Sequence, residues 1–224
     1  MDLRQLYNHA RIIYSAPAGW NAWGWGALAL CSMVILGSFA ADESLRLWFA
    51  TTHTPILDEL FDLGHWFGTG RPTLILFAAL YGTGLLFAQP MLRERGLLIG
   101  ESYLLSGILT ITTKSLLGRW RPYTNHGSFA FLPFTAGPNE HLSLPSGHAT
   151  VAFALSSVMA GCHSNKLWKT SWYLLALNTA TSRIYHDDHW FSDVVCSALI
   201  GTAVGMWLIK NQRNNPLAIA GDHE

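Results

Sequence analysis

Charge is scarce in this chain. Only 12% of its 224 residues are Asp, Glu, Lys or Arg, and fourteen basic residues balance fourteen acidic ones. Without a basic excess there is no field to gather nucleic acid, which excludes that class of partner. Cysteine is scarcer still: Cys31, Cys162 and Cys196 each stand alone in an apolar run. That pattern gives neither a disulfide framework nor zinc-ligand spacing, and it reads as buried single thiols. No Asn-x-Ser/Thr acceptor occurs, which fits a bacterial protein. Repeats, low-complexity tracts and dividing linkers are also missing, so residues 1–224 read as one domain.

Apolar residues are plentiful, at 50% of the chain. Ten Trp and seven Tyr hold the mean hydropathy to +0.23 while suiting a bilayer interface, where amphipathic rings settle at headgroup level. A helix needs about 20 apolar residues to cross the hydrocarbon core. Six spans are expected, at about 20–41, 72–88, 96–117, 147–162, 167–184 and 194–209. None alternates with period two, so barrel strands are excluded. The expected fold is all-α: a polytopic six-helix membrane bundle.

Basic residues orient it. With the N-terminus inside, the cytoplasmic segments carry Arg4, Arg11, Arg93, Arg95, Lys166, Lys169, Lys210 and Arg213, and both termini are cytoplasmic. The outer side carries Arg46, Arg71, Lys114, Arg119, Arg121 and Arg183, a difference that grows if Lys114, Arg121 and Arg183 have a chemical task. "GSFAAD" (Gly37 to Asp42) is spaced like a signal-peptidase site, but the preceding apolar run is longer than most signal cores, and retention as a membrane helix is favoured. The long polar connection from Gly118 to Ser146 exceeds an ordinary helix-to-helix loop, so it is expected to be functional or to carry short helices.

Three polar clusters fall on the outer face: "KSLLGRWRP" around Lys114, "PSGH" at Pro145 to His148, and "SRIYHDDHWFSD" from Ser182 to Asp193. Charged groups at a membrane boundary are costly unless paired, hydrated or used. Their chemistry is complementary. Lys114, Arg121 and Arg183 are cations, and guanidinium forks match phosphate oxygens. Ser146 and Gly147 open a helix whose backbone N–H groups can face an anion. His148 and His189 can serve as acid, base or nucleophile, and Asp193 lies one helical turn after His189. Taken singly, each piece has a plainer reading: Lys114 and Arg119 as snorkelling anchors, "PSG" as a turn, His148 as a satisfied polar residue. Their coincidence on one face favours a phosphoryl-transfer site.

The chain here resembles the type 2 phosphatidic acid phosphatase superfamily, whose pattern is Lys-x6-Arg-Pro, Pro-Ser-Gly-His and Ser-Arg-x5-His-x3-Asp. Lys114, Arg121 and Pro122, then Pro145 to His148, then Ser182, Arg183, His189 and Asp193 meet every specified position in order. The resemblance implies that His189 attacks phosphorus to give a phosphohistidine, that Asp193 orients His189, and that His148 protonates the leaving oxygen and then activates water. Lys114, Arg121, Arg183, Ser146 and Gly147 would hold the phosphoryl oxygens. It implies no cofactor and no metal, the cations supplying the electrostatics.

One departure stands out. Between Arg183 and His189 the insert reads "IYHDD", where relatives often carry a Gly and few charges. His186, Asp187 and Asp188 are open to three readings: holding the loop, touching a headgroup, or binding a metal. A carboxylate aimed inward would repel an anionic substrate, so Asp188 is expected to point away or to pair with a cation.

A site at the end of the spans suits a substrate anchored in the bilayer, and the glycines and Ser197 of the third and sixth spans suit close packing. The expected function is metal-independent removal of phosphate from a membrane lipid phosphate or diphosphate, at the periplasmic side of a bacterial inner membrane. Phosphatidic acid, phosphatidylglycerophosphate, a polyprenyl diphosphate and a lipid A phosphate stand level, with the Tyr123–Leu144 loop expected to contribute selectivity. The alternatives are a lipid phosphotransferase using the same intermediate or, from another class, a non-catalytic transporter or scaffold.

Overall fold

The computed structural model describes residues 7–9, 11–12 and 15–214. Arg4 and the chain from 215 onward, with the expected side of both termini, lie outside the described residues.

Helix α1 (Ala22–Ser38) starts where the Asn21 side chain accepts from Gly24 N at 3.1 Å, closing one of the open N–H groups of the first turn. It has no buried residue; Trp23, Leu30, Met33 and Leu36 are exposed, as a lipid-facing helix requires. A 3-10 turn at Phe39–Ala41 leads into α2 (Asp42–Ala50). Helix α3 (Pro55–Gly68) is set by Thr54 as N-cap, Pro55 in its first turn and Asp58 against its positive end. Then come α4 (Arg71–Leu86) and α5 (Pro90–Leu117). Gly118 stops α5 at φ 59°, and a Cβ there would lie 1.7 Å from Leu132 O, so only glycine fits.

Helix α6 (Gly147–Gly161) is the buried axis, packed by α5, α7 (Lys166–Tyr185) and α8 (Phe191–Asn214). Small residues let α8 approach it: a Cβ on Gly201 would stand 2.4 Å from Thr150 O, and one on Gly205 2.6 Å from Ser157 Cβ. Ile99, Leu105, Leu155, Val158 and Leu208 fill the core.

Among the described residues the regular structure is all helical, with irregular connections and one isolated antiparallel bridge between Arg119 and Phe131. Each of the six expected spans falls on a helix, namely α1 and α4 to α8. Among the described residues, three stretches are long and apolar enough to cross a membrane: Ala22–Ala50, Pro90–Leu117 and Phe191–Asn214. Helix α4 is apolar but only 16 residues long. Helices α2 and α3 lie in a segment without an expected span, because Asp42, Glu43, Arg46, Asp58, Glu59 and Asp62 interrupt its apolar residues. The 118–146 connection carries two short 3-10 turns, Pro122–Thr124 and Asn139–His141.

Candidate active site

The C-terminal end of α5, the N-terminal end of α6 and the α7–α8 turn meet at one end of the bundle. His189 lies in that turn, 2% exposed, with its Nδ1 3.6 Å from Asp193 Oδ2 and 3.5 Å from Ser143 Oγ. The first distance is a close approach and not a formed hydrogen bond. Ser143 Oγ donates to Asp193 Oδ2 at 2.5 Å, so its oxygen is left to accept from the imidazole and couples the two residues. Both contacts fall on Nδ1, leaving Nε2 as the nitrogen for chemistry. Burial, then the charges of Lys114, Arg121, Arg183 and His148, pushes the His189 pKa well below its ordinary value and favours the neutral ring.

Asp193 is fixed from several directions. Trp190 N donates to its Oδ2 at 2.9 Å, and Arg119 Nη1 donates to its Oδ1 at 2.6 Å. Arg119 is wholly buried and also holds Asp42 Oδ2 at 2.7 Å and Ser192 Oγ at 2.7 Å, with its guanidinium 4.2 Å over the Phe39 ring. The snorkelling reading of Arg119 is therefore corrected. The residue lies inside, because two buried carboxylates outweigh the pull of water on one guanidinium.

The other expected residues gather here. Lys114 Nζ donates to the carbonyls of Leu142 and Ser143, anchoring the segment that carries the Ser143 hydroxyl. Arg121 is held by Asn139, through Nε to the carbonyl at 3.0 Å and Nη2 to Oδ1 at 2.8 Å. Ser146 is the N-cap of α6, its Oγ accepting from Ala149 N at 3.4 Å. Open space lies beside Gly147, where an added Cβ would meet only Thr110 Cγ2, at 3.9 Å. His148 sits in the first turn of α6 and stacks on His65, ring centroids 5.0 Å apart.

His186, Asp187 and Asp188 go to separate partners. His186 Nδ1 meets Ser182 O at 2.7 Å and its Nε2 meets Asp62 Oδ1 at 3.2 Å. Asp187, at φ 57°, is clasped by Arg46 at 2.7 and 2.8 Å. Asp188 pairs with Arg183 through Oδ2 and with Arg121 through Oδ1 at 3.3 Å. Two of the three thus brace the turn, and the expected cation pairing of Asp188 is present.

Sequence reasoning missed His65, Asp42, Ser143 and Asn139. Arg183 Nη1 donates to His65 Nδ1, which places the proton of neutral His65 on Nε2. Gly68 lets α3 lie against α6 beside His148, since a Cβ there would come within 2.8 Å of His148 Cβ. In the connection expected to give selectivity, His126 and His141 both stack on Trp120 with centroids 3.8 Å away, while Phe129 and Phe134 are exposed.

Residues 95–216 match the PAP2 superfamily, over more than half of the chain. The chain belongs to that superfamily. Over 83 residues it is 32% identical to the lipid A 1-phosphatase of Porphyromonas gingivalis, covering 36% of this chain but only 19%, about a fifth, of that relative. Two crystal structures share the fold of this PAP2 protein. LpxE from Aquifex aeolicus is similar at a TM-score of 0.56 and 23% identity, over 75% of this chain and 94% of that one. A transmembrane PAP2-type phosphatidylglycerolphosphate phosphatase from Bacillus subtilis is similar at 0.52 and 16%, over 85% and 98%.

Proposed function

We propose that this PAP2 protein hydrolyses a membrane lipid phosphate or diphosphate through a phosphohistidine on His189. The observation that carries the proposal is the buried His189, backed by Asp193 on Nδ1 where the segments carrying Lys114, Arg121, Arg183 and His148 meet. In the first step His189 Nε2 attacks phosphorus, the P–O bond to the lipid breaks, and His148 gives its proton to the leaving oxygen. Asp193, directly and through Ser143, stabilises the imidazolium character that develops. In the second step His148 takes a proton from water, the water oxygen bonds to phosphorus, and the P–N bond breaks. The three cations, Ser146 and the Gly147 amide hold the phosphoryl oxygens throughout.

The same reading places six spans in the membrane, α1 and α4 to α8, with the site on the extracytoplasmic side of a bacterial inner membrane. Arg93, Arg95, Lys166, Lys169, Lys210 and Arg213 belong to the ends of α5, α7 and α8 opposite the site, which supports that end as cytoplasmic. A lipid substrate is supported by exposed Phe129, Leu132 and Phe134 beside the site and by the names of the relatives. Phosphate release from purified lipid phosphates in detergent, with His189→Ala as control, tests the proposal. Release by the wild type and none by the variant is expected; equal release by both would overturn it.

A further inference from the structure

Within this phosphatase reading, the charge inventory of the phosphate site holds one carboxylate too many. Asp188 places Oδ2 on Arg183 Nη2 and Oδ1 on Arg121 Nη1 at 3.3 Å, bridging the two guanidinium groups with one oxygen each. That is the manner in which two oxygens of a tetrahedral phosphoryl group engage two arginines. Arg121 also meets the Asp188 carbonyl at 3.3 Å, so the residue is fixed by backbone as well as side chain. Its side chain is 28% exposed, whereas those of Arg121 and Arg183 are 9% and 4% exposed, so the carboxylate covers the two cations from the open side. Among the described residues, Arg183 Nε is buried with no hydrogen-bond partner, an open donor on the same guanidinium.

We infer that Asp188 is a resident competitor for the phosphate site: its carboxylate occupies Arg121 and Arg183 at rest, and the phosphoryl group of the substrate displaces or shares it. Three cations and one carboxylate leave a formal charge of +2 among Lys114, Arg121, Arg183 and Asp188, which one phosphate dianion neutralises. Without Asp188 the three cations would hold inorganic phosphate, the product, more firmly than turnover needs. The carboxylate lowers affinity for every phosphate-bearing ground state and returns to the arginines as product leaves. Asp188 therefore sets affinity for the phosphoryl group and takes no part in bond making.

Binding is measured by titration calorimetry of purified protein in detergent, with orthovanadate and inorganic phosphate as probes, for wild type, Asp188→Asn and Asp188→Ala. Thermal unfolding establishes that each variant is folded. Both variants are expected to bind each anion at least about tenfold more tightly, the scale of losing one charged competitor. In the lipid phosphate assay KM falls, inhibition by inorganic phosphate strengthens, and kcat does not rise. A carboxylate that merely holds the arginines in place predicts the reverse, weaker anion binding and higher KM. Weaker or unchanged binding in folded variants of an enzyme that releases phosphate overturns this inference alone. If wild type and variants bind neither anion and no lipid phosphate is hydrolysed, the phosphatase reading fails and this inference falls with it.

Discussion

Arg119 and Asp193 form a wholly buried ion pair, Nη1 to Oδ1 at 2.6 Å, that joins the start of the 118–146 connection to the first turn of α8. The same guanidinium reaches Asp42 at 2.7 Å, so one cation ties α2, the connection and α8 together behind His189. Removing it strands two carboxylates in a dry interior. Arg119→Ala is expected to destabilise the protein by about 3–5 kcal/mol, the usual cost of breaking one partner from a buried pair. Unfolding in detergent measures this, and wild-type stability in the variant would contradict it.

Ser143 links Nδ1 of His189 to Asp193 and has no place in the family motifs. Ser143→Ala leaves Trp190 N and Arg119 on Asp193 but removes the bridge. A loss of about 1.5 kcal/mol, for one hydrogen bond to a charged group, corresponds to about a tenfold fall in kcat with little change in KM. Steady-state kinetics on one lipid phosphate decide it; an unchanged kcat would remove Ser143 from the mechanism.

His65 makes a different prediction, because it touches Arg183 and stacks on His148 from α3. His65→Ala is expected to lower kcat/KM by about tenfold through loss of one contact to a charged group. His65→Gln, which keeps an acceptor for Arg183, should recover part of it. Equal losses in both variants would point to ring stacking as the whole contribution.

The depressed pKa of His189 has a consequence for stability against pH. In the fold the ring stays neutral well below its ordinary value, whereas in the unfolded chain it takes a proton below about 6.5. The unfolded state therefore binds more protons in that acid range, and stability falls as pH drops through it. His189→Gln removes this contribution. Its melting temperature should decline less than that of the wild type between about pH 7 and pH 5; parallel declines would argue against a buried neutral imidazole.

The helices and the meeting of the candidate site's three segments were legible in the sequence for separate physical reasons. Long apolar runs between polar clusters mark the helices α1 and α4 to α8 directly, and among the described residues Ala22–Ala50, Pro90–Leu117 and Phe191–Asn214 have the length and low charge that a bilayer demands. Lys114, Arg121, His148, Arg183, His189 and Asp193 stand at fixed spacings within three short segments, and those segments meet in space. Helices α2 and α3 were hidden because their carboxylates break the apolar pattern. Asp42 and His65 were hidden with them, since a pair such as Arg119 with Asp42, 77 residues apart, leaves no local spacing to read. Asp188 fell between: that it would point away or pair with a cation followed from charge alone, but its double partnership with Arg121 and Arg183 required the fold.

In the proposed reaction His189 carries the phosphoryl group between the two half-reactions. Rapid quenching of the protein mixed with a radiolabelled lipid phosphate, followed by peptide mapping under alkaline conditions, tests it most directly. An acid-labile, base-stable label is expected on the peptide containing His189 and is absent from His189→Ala. A label on another residue, or turnover by His189→Ala at the wild-type rate, would contradict it.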